Sequence, residues 1–203
     1  PLLIKVASIQ TAHIQIYFID NNDLIHRRKG VSDDNGVEYA DNDDRVIFYA
    51  RGVMETVKKL RWTPDVILCS GWMSSLAPLY LKKAFNDEPF FANSKVVLML
   101  DDNEYQKPFS TKFADKLRID GITNTDVRSI ADFPVGYEEL LRLAVDYSDA
   151  IVYATPKVNQ RVANYAETKG KPILPYVPLD DLNEVCARQW EFYQSLLQQE
   201  KDE

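Results

Sequence analysis

The stretch from Glu38 to Lys82 constrains the fold more than any other, because its periodicity changes from helix to strand and back with almost no linker. An Asp/Asn-rich turn at Asp41-Asn42-Asp43-Asp44 opens an amphipathic helix expected over about Asp43–Leu60. Val46, Tyr49, Ala50, Val53, Val57 and Leu60 fall on one face of it. Asp41 or Asn42 is placed to cap the helix. Lys58, Lys59 and Arg61 sit at its other end, where cations favour the dipole. The helix stops at Trp62-Thr63-Pro64, an apolar strand follows over Val66–Cys69, and a second helix is expected over Met73–Phe85. Ligands of open parallel sheets bind outside the carboxyl ends of the strands, so the segment Ser70 to Ser75 is the candidate site.

The remaining chain repeats this alternation. Two β-rich runs, Leu3–Ile9 and His13–Ile19, flank a polar Gln10-Thr11-Ala12 turn and predict a hairpin. A long polar surface loop with Gly30 and Gly36 follows, over Asn21–Asn42. Strands are expected at Lys95–Leu100, Ala150–Ala154 and near Pro172–Tyr176. Helices are expected near Thr111–Ile119, at Tyr137–Tyr147, at Lys157–Thr168 and from Leu179 to about Gln199. The last carries Leu182, Val185, Cys186, Gln189, Phe192, Tyr193, Leu196 and Leu197 on one face. Such alternation implies a mostly parallel, doubly wound α/β sheet with right-handed crossovers. The 203 residues suit a single domain with a full core.

Composition narrows the partners. A net charge of −7 argues against nucleic acid or an anionic membrane as the main partner. The one local basic candidate is Arg27-Arg28-Lys29. Cys69 lies in an apolar strand and Cys186 is remote from it; neither forms a zinc or redox spacing, and a reducing cytoplasm fits. No apolar run has the length of a membrane span, and no secretory signal pattern is present. The chain opens Pro1-Leu2-Leu3, already inside a predicted strand, so its true start is expected upstream.

Several phrases carry a resemblance. Tyr39, Asp41, Asn42 and Arg45 match the pattern Y-x-D-N-x-x-R. Trp62, Pro64 and Asp65 match the end of K-x-x-G-W-x-P-D. Trp72, Leu76, Pro78, Tyr80 and Leu81 match V-[IV]-H-x-H-D-W-[HQ]-[TA]-x-L-x-P-x-Y-L. Ile16–Asp20 stands where a V-Y-F-I-D phrase is found, Tyr105-Gln106 survive from T-I-H-N-x-x-Y-Q-G, and Ser148–Pro156 follows A-D-x-V-x-T-V-S-P. In these features the chain resembles the N-terminal catalytic domain of bacterial glycogen and starch synthases, glycosyltransferase family 5, from Ile4 to about Val162. The tail from Leu174 onward matches nothing in that pattern.

The resemblance implies a Rossmann-like domain with an N-terminal hairpin, one half of a GT-B architecture. It implies glucosyl transfer from ADP-glucose to an α-1,4-glucan, with no cofactor and no metal. It also marks what is changed. The family's two histidines fall on Leu68 and Ser70, its aspartate on Gly71 and its His/Gln on Met73. The K-x-G-G loop would lie before Pro1, and the family's second domain, which holds most of the donor site, is expected to be missing. Ser70, Gly71, Trp72 and Tyr105 are the implied substrate-binding positions, and no residue is assigned as catalytic. The expected partners are ADP-glucose, an α-glucan or a full-length synthase. The chain alone is expected to be catalytically incomplete. The alternatives are a non-catalytic glucan-binding or regulatory subunit, or a fragment of a larger active enzyme.

The residues themselves bear on other chemistries. Ser70 lacks the G-x-S-x-G elbow, since Leu68 and Trp72 hold the glycine positions, and the only bases, His13 and His26, belong to the hairpin and its loop. Asp101, Asp102 and Glu104 form an acidic cluster that reads as a magnesium site or, preferably, a solvated turn. Trp72 reads as active-site wall or, preferably, as packed core. Tyr39, Asp41, Asn42 and Arg45 read as a capping and ion-pair network. The final helix, with Trp190, Phe192 and Tyr193, is expected to dock on the domain or to present a partner face.

Overall fold

The computed structural model describes residues 1–26, 28, 30–119, 121–178 and 181–198. The hairpin comes first: β1 (Leu3–Ile9) pairs antiparallel with β2 (Ile14–Asp20), in a register that sets Ile4 opposite Ile19 and Val6 opposite Tyr17. Its turn is a short 3-10 segment at Gln10–Ala12, closed by His13 in the left-handed region at φ 54°. The base of the hairpin rests on helix α1 (Asn42–Leu60), where Gly52 lets Ile19 and Leu2 approach. A Cβ at position 52 would lie 3.1 Å from a methyl of each.

The main sheet has four parallel strands in sequential order: β3 (Val66–Ser70), β4 (Lys95–Leu100), β5 (Ala150–Tyr153) and β6 (Ile173–Leu174). Side chains alternate across its two faces with the period of two that strands impose. Cys69, Leu98 and Ile151 point into the larger core, with α1, α2 (Ala77–Lys83), α4 (Tyr137–Tyr147) and α5 (Gln160–Glu167). Val97, Ala150 and Val152 point to the opposite face, where Leu196, Phe192 and Tyr193 of α6 (Leu182–Gln198) cover them. Sequential strand order with one crossover handedness places every connecting helix on one face; among the described residues the second face receives only α6. Leu68, on edge strand β3, is left 42% exposed.

Polar side chains fasten these layers. Asp149 accepts bonds from Lys82 Nζ on α2 and from the Val96 amide on β4. Lys171 Nζ donates to the carbonyls of Val145, Asp146 and Ser148, filling acceptors that the end of α4 leaves open. Glu139 accepts the Gly136 amide at 3.0 Å and so caps the start of α4.

Several sequence expectations need correction. The helix expected over Met73–Phe85 is two pieces, a 3-10 turn at Trp72–Ser74 and then α2. Ser74 Oγ donates to the Ser70 and Gly71 carbonyls and Ser75 Oγ to that of Trp72, which tightens the first turn, while Pro78 suits the first turn of a new helix. Neither Asp41 nor Asn42 caps α1, because the Asp41 carboxylate binds Arg28 and the Asn42 side chain binds Val31 and Arg45. Leu60, assigned to the buried face of α1, is 45% exposed, and Met54 is buried instead. The helix expected near Thr111–Ile119 is the shorter α3 (Phe113–Leu117). On the final helix only Leu196 is buried, and Leu182, Cys186 and Trp190 are exposed. Its expected limits at Leu179 and Gln199, like Arg27 and Lys29 of the basic run, lie outside the described residues.

Candidate functional site

The strand ends assemble a shelf of loops at the carboxyl edge of the sheet. At the end of β3 the chain turns at Gly71, with φ 74° and ψ 162°. That backbone region is essentially restricted to glycine. Ser70, just before it, is exposed, and its hydroxyl lies 3.7 Å from Met99 Sδ, a weak acceptor. His26 faces Asp20 at 3.3 Å, and His13 sits at the hairpin tip; neither partners Ser70. The Asp101 carboxylate from the end of β4 lies closest to Gly71: a Cβ built on the glycine would be 3.7 Å from its Oδ2.

Beneath the shelf lies an aromatic stack. Trp72 and Tyr105 are each 3% exposed, so of the four expected binding residues only Ser70 and Gly71 reach solvent. The Trp72 ring meets Tyr105 edge-on at 5.4 Å, and Tyr105 stacks on Phe109 at 4.5 Å. The Tyr105 hydroxyl donates to the Val135 carbonyl at 3.2 Å. Burial, with Glu139 and Glu38 nearby, pushes its phenol far above the ordinary range. Burial and the nearby Asp101, Glu104 and Asp102 carboxylates raise Tyr137 in the same way. Both phenols stay protonated, as hydrogen-bond donors rather than bases.

The rim is acidic and internally bonded. Asp101 accepts the Asn103 amide at 3.0 Å, and Glu104 accepts Asn159 Nδ2 at 3.1 Å. Asn159 in turn caps α5 by accepting the amides of Arg161 and Val162. Among the described residues no group of three or more His, Cys, Asp or Glu side chains is arranged to hold a metal ion. Asp102 is exposed, and Asp101 and Glu104 are partly exposed.

One contact was not legible in the sequence. Glu38 reaches from the long loop to accept the consecutive amides of Gln106 and Lys107 at 2.7 and 2.6 Å, strapping that loop beside the shelf. The neighbouring motif residues hold the strap in place. Arg28 and Arg45 lie over the Tyr39 ring at 5.1 and 4.8 Å. Arg45, 2% exposed, donates to the Leu24 carbonyl and to Asn42. Tyr39, Asp41, Asn42 and Arg45 thus form a clasp of the kind expected, although Asp41 does not cap the helix.

Comparison with known proteins bears on the family and the fold. A family model described as the starch synthase catalytic domain matches residues 2–171. A glycogen synthase of Chlorobium luteolum is 36% identical over 118 residues, which is 57% of this chain and 24% of that protein. One of Chlorobium phaeovibrioides is 29% identical over 167 residues, 81% of this chain and 33% of that protein. The chain thus spans well under two thirds of these relatives. The catalytic domain of starch synthase IV from Arabidopsis thaliana, solved with ADP and acarbose, superposes with a TM-score of 0.65. That match has 12% identity and covers 87% of this chain and 36% of the other, so it supports the fold alone.

Proposed function

This chain belongs to the starch synthase catalytic-domain family, and on that premise we propose that it is an N-terminal synthase-like domain that meets an α-glucan or ADP-glucose at the ends of β3 and β4. We further propose that by itself it does not transfer glucose. Glucosyl transfer from a nucleotide sugar requires charge stabilisation on the departing diphosphate and tight positioning of the sugar. The observation that carries the proposal is the end of β3, where serine and a left-handed glycine stand at the family's histidine and aspartate positions. A serine hydroxyl offers one short neutral donor in place of an imidazole that can carry charge. The nearest carboxylate, Asp101, would repel a diphosphate rather than neutralise it.

The cytoplasm is the compartment we propose. Both cysteines are free, and no described helix is long and apolar enough to cross a membrane. The test of the catalytic reading is direct. Purified chain incubated with ADP-glucose and glycogen is expected to release no ADP above a heat-killed control, and sustained release would overturn the proposal.

A further inference from the structure

A small cavity opens where β5 and β6 part. Their ladder ends at the Val152–Leu174 pair, and Pro175 follows directly. Proline has no amide with which to carry a ladder on. Beyond that pair the space between the two strands and α6 is a cavity of about 150 Å³. Val152, Leu174, Pro175 and Val185 make its walls apolar, while Arg188 and Gln189 of α6 bring polar groups to it. It lies at the carboxyl ends of β5 and β6, the edge at which open α/β sheets bind ligands. It shares no residue with the shelf at Ser70 and Gly71.

The positive charge at this cavity is not compensated from within. Glu184 precedes Arg188 by four residues and Glu191 follows it by three, the two helical spacings at which an acid meets an arginine. Among the described residues Arg188 forms an ion pair with neither of them, nor with any other acid. Arginines on other helices do find acids: Arg142 and Arg161 both reach Glu138. The Arg188 side chain is instead partly buried along the cavity, and among the described residues no carboxylate lines that space. A guanidinium at the edge of an apolar cavity, with two acids in helical reach and neither used, is placed for an anion from outside.

Size and lining together select the ligand class. A volume of about 150 Å³ is what a single benzene ring occupies. It is too small for a nucleoside diphosphate or a run of pyranose rings. The apolar walls suit a ring or a branched hydrocarbon. The planar guanidinium fork matches a carboxylate through two parallel N–H···O bonds, and the Gln189 amide offers a further N–H beside it. We infer that this cavity binds a small carboxylic acid, ionised, whose apolar body is about one ring in size. The inference goes beyond the synthase-like reading and does not depend on it.

Benzoate is the probe, and benzamide is its neutral counterpart of the same shape. In calorimetry the wild-type chain is expected to bind benzoate with a Kd on the order of millimolar. Benzamide should bind at least about tenfold more weakly, because it lacks the charge that Arg188 meets. In amide NMR spectra benzoate should shift Val152, Leu174 and Val177 and leave Ser70 and Gly71 in place. Arg188→Gln should lower benzoate affinity at least about tenfold and erase the preference over benzamide. Arg128→Gln, at an exposed arginine in the loop before α4, should change neither. Val185→Phe, which fills the cavity, should abolish binding of both compounds, and an unaltered urea midpoint in each variant shows that its fold is intact. The comparison of benzoate with benzamide needs no variant at all. Equal affinity for the two, benzoate binding that survives Arg188→Gln, shifts confined to another face, or no benzoate binding by the wild type would overturn the inference. None of these results bears on glucosyl transfer, so the synthase-like reading stands or falls separately.

Discussion

The Lys83 ammonium lies 2.9 Å from the Asp126 carboxylate, joining the end of α2 to the loop that leads toward α4. Thr123 adds a backbone and a hydroxyl donor to the same carboxylate. Burial alone would raise this acid, but the bonds from Lys83 and Thr123 outweigh it and hold the carboxyl down at about 2. A carboxyl lowered on folding contributes stability that is present above its unfolded value of 3.8 and disappears as pH falls toward 2. The contribution is about 1 kcal/mol once solvent screening is allowed for. Urea midpoints measured between pH 5 and pH 2 should fall less steeply in Asp126→Asn than in the wild type, and parallel slopes would refute this.

Arg61 occupies the left-handed position that ends α1, where the family pattern has glycine. A non-glycine residue there costs roughly 1 kcal/mol. Arg61→Gly is therefore expected to raise stability by about that amount with an unchanged denaturant slope. A lower midpoint would show that the arginine side chain contributes more than the strain removes.

Glu38 ties two loops separated by 68 residues of chain through the Gln106 and Lys107 amides. Charge-assisted bonds of this geometry are the stronger kind. Glu38→Ala should accelerate hydrogen exchange at amides 106 and 107 while leaving α4 and β5 protected. Exchange that rises uniformly across the domain would instead mean that Glu38 supports the whole fold.

The two thiols should separate cleanly in reactivity. Burial pushes Cys69 up to about 12, while Cys186 is exposed. A thiol reagent at neutral pH should label one cysteine per native chain and both after unfolding. Labelling of Cys69 in the native state would mean that β3 opens readily.

Much of the fold was legible because its strong signals are local. β4 and α4 have the bounds that the sequence predicts, one a continuous apolar run and the other a 3.6-residue apolar stripe behind Gly136 and Glu139. The break between Trp72 and Ala77 was not legible, because two serines bond back to carbonyls in a stretch that otherwise reads as helix. The exposure of Leu60 and Trp62 depends on where the hairpin ends, which no local window reports. At the strand ends the family phrase marked all four positions alike, and it could not tell Trp72 and Tyr105, which form the buried floor, from Ser70 and Gly71, which form the surface. Glu38 was missed because its partners are main-chain amides distant in the sequence.

The backbone at Gly71 also limits what can stand there. An aspartate at this position would have to occupy φ 74° and ψ 162° with its side chain beside that of Asp101, a conformation that L-residues avoid and a pairing of like charges. The turn as it is built therefore selects against any side chain at residue 71, and against an acidic one most of all.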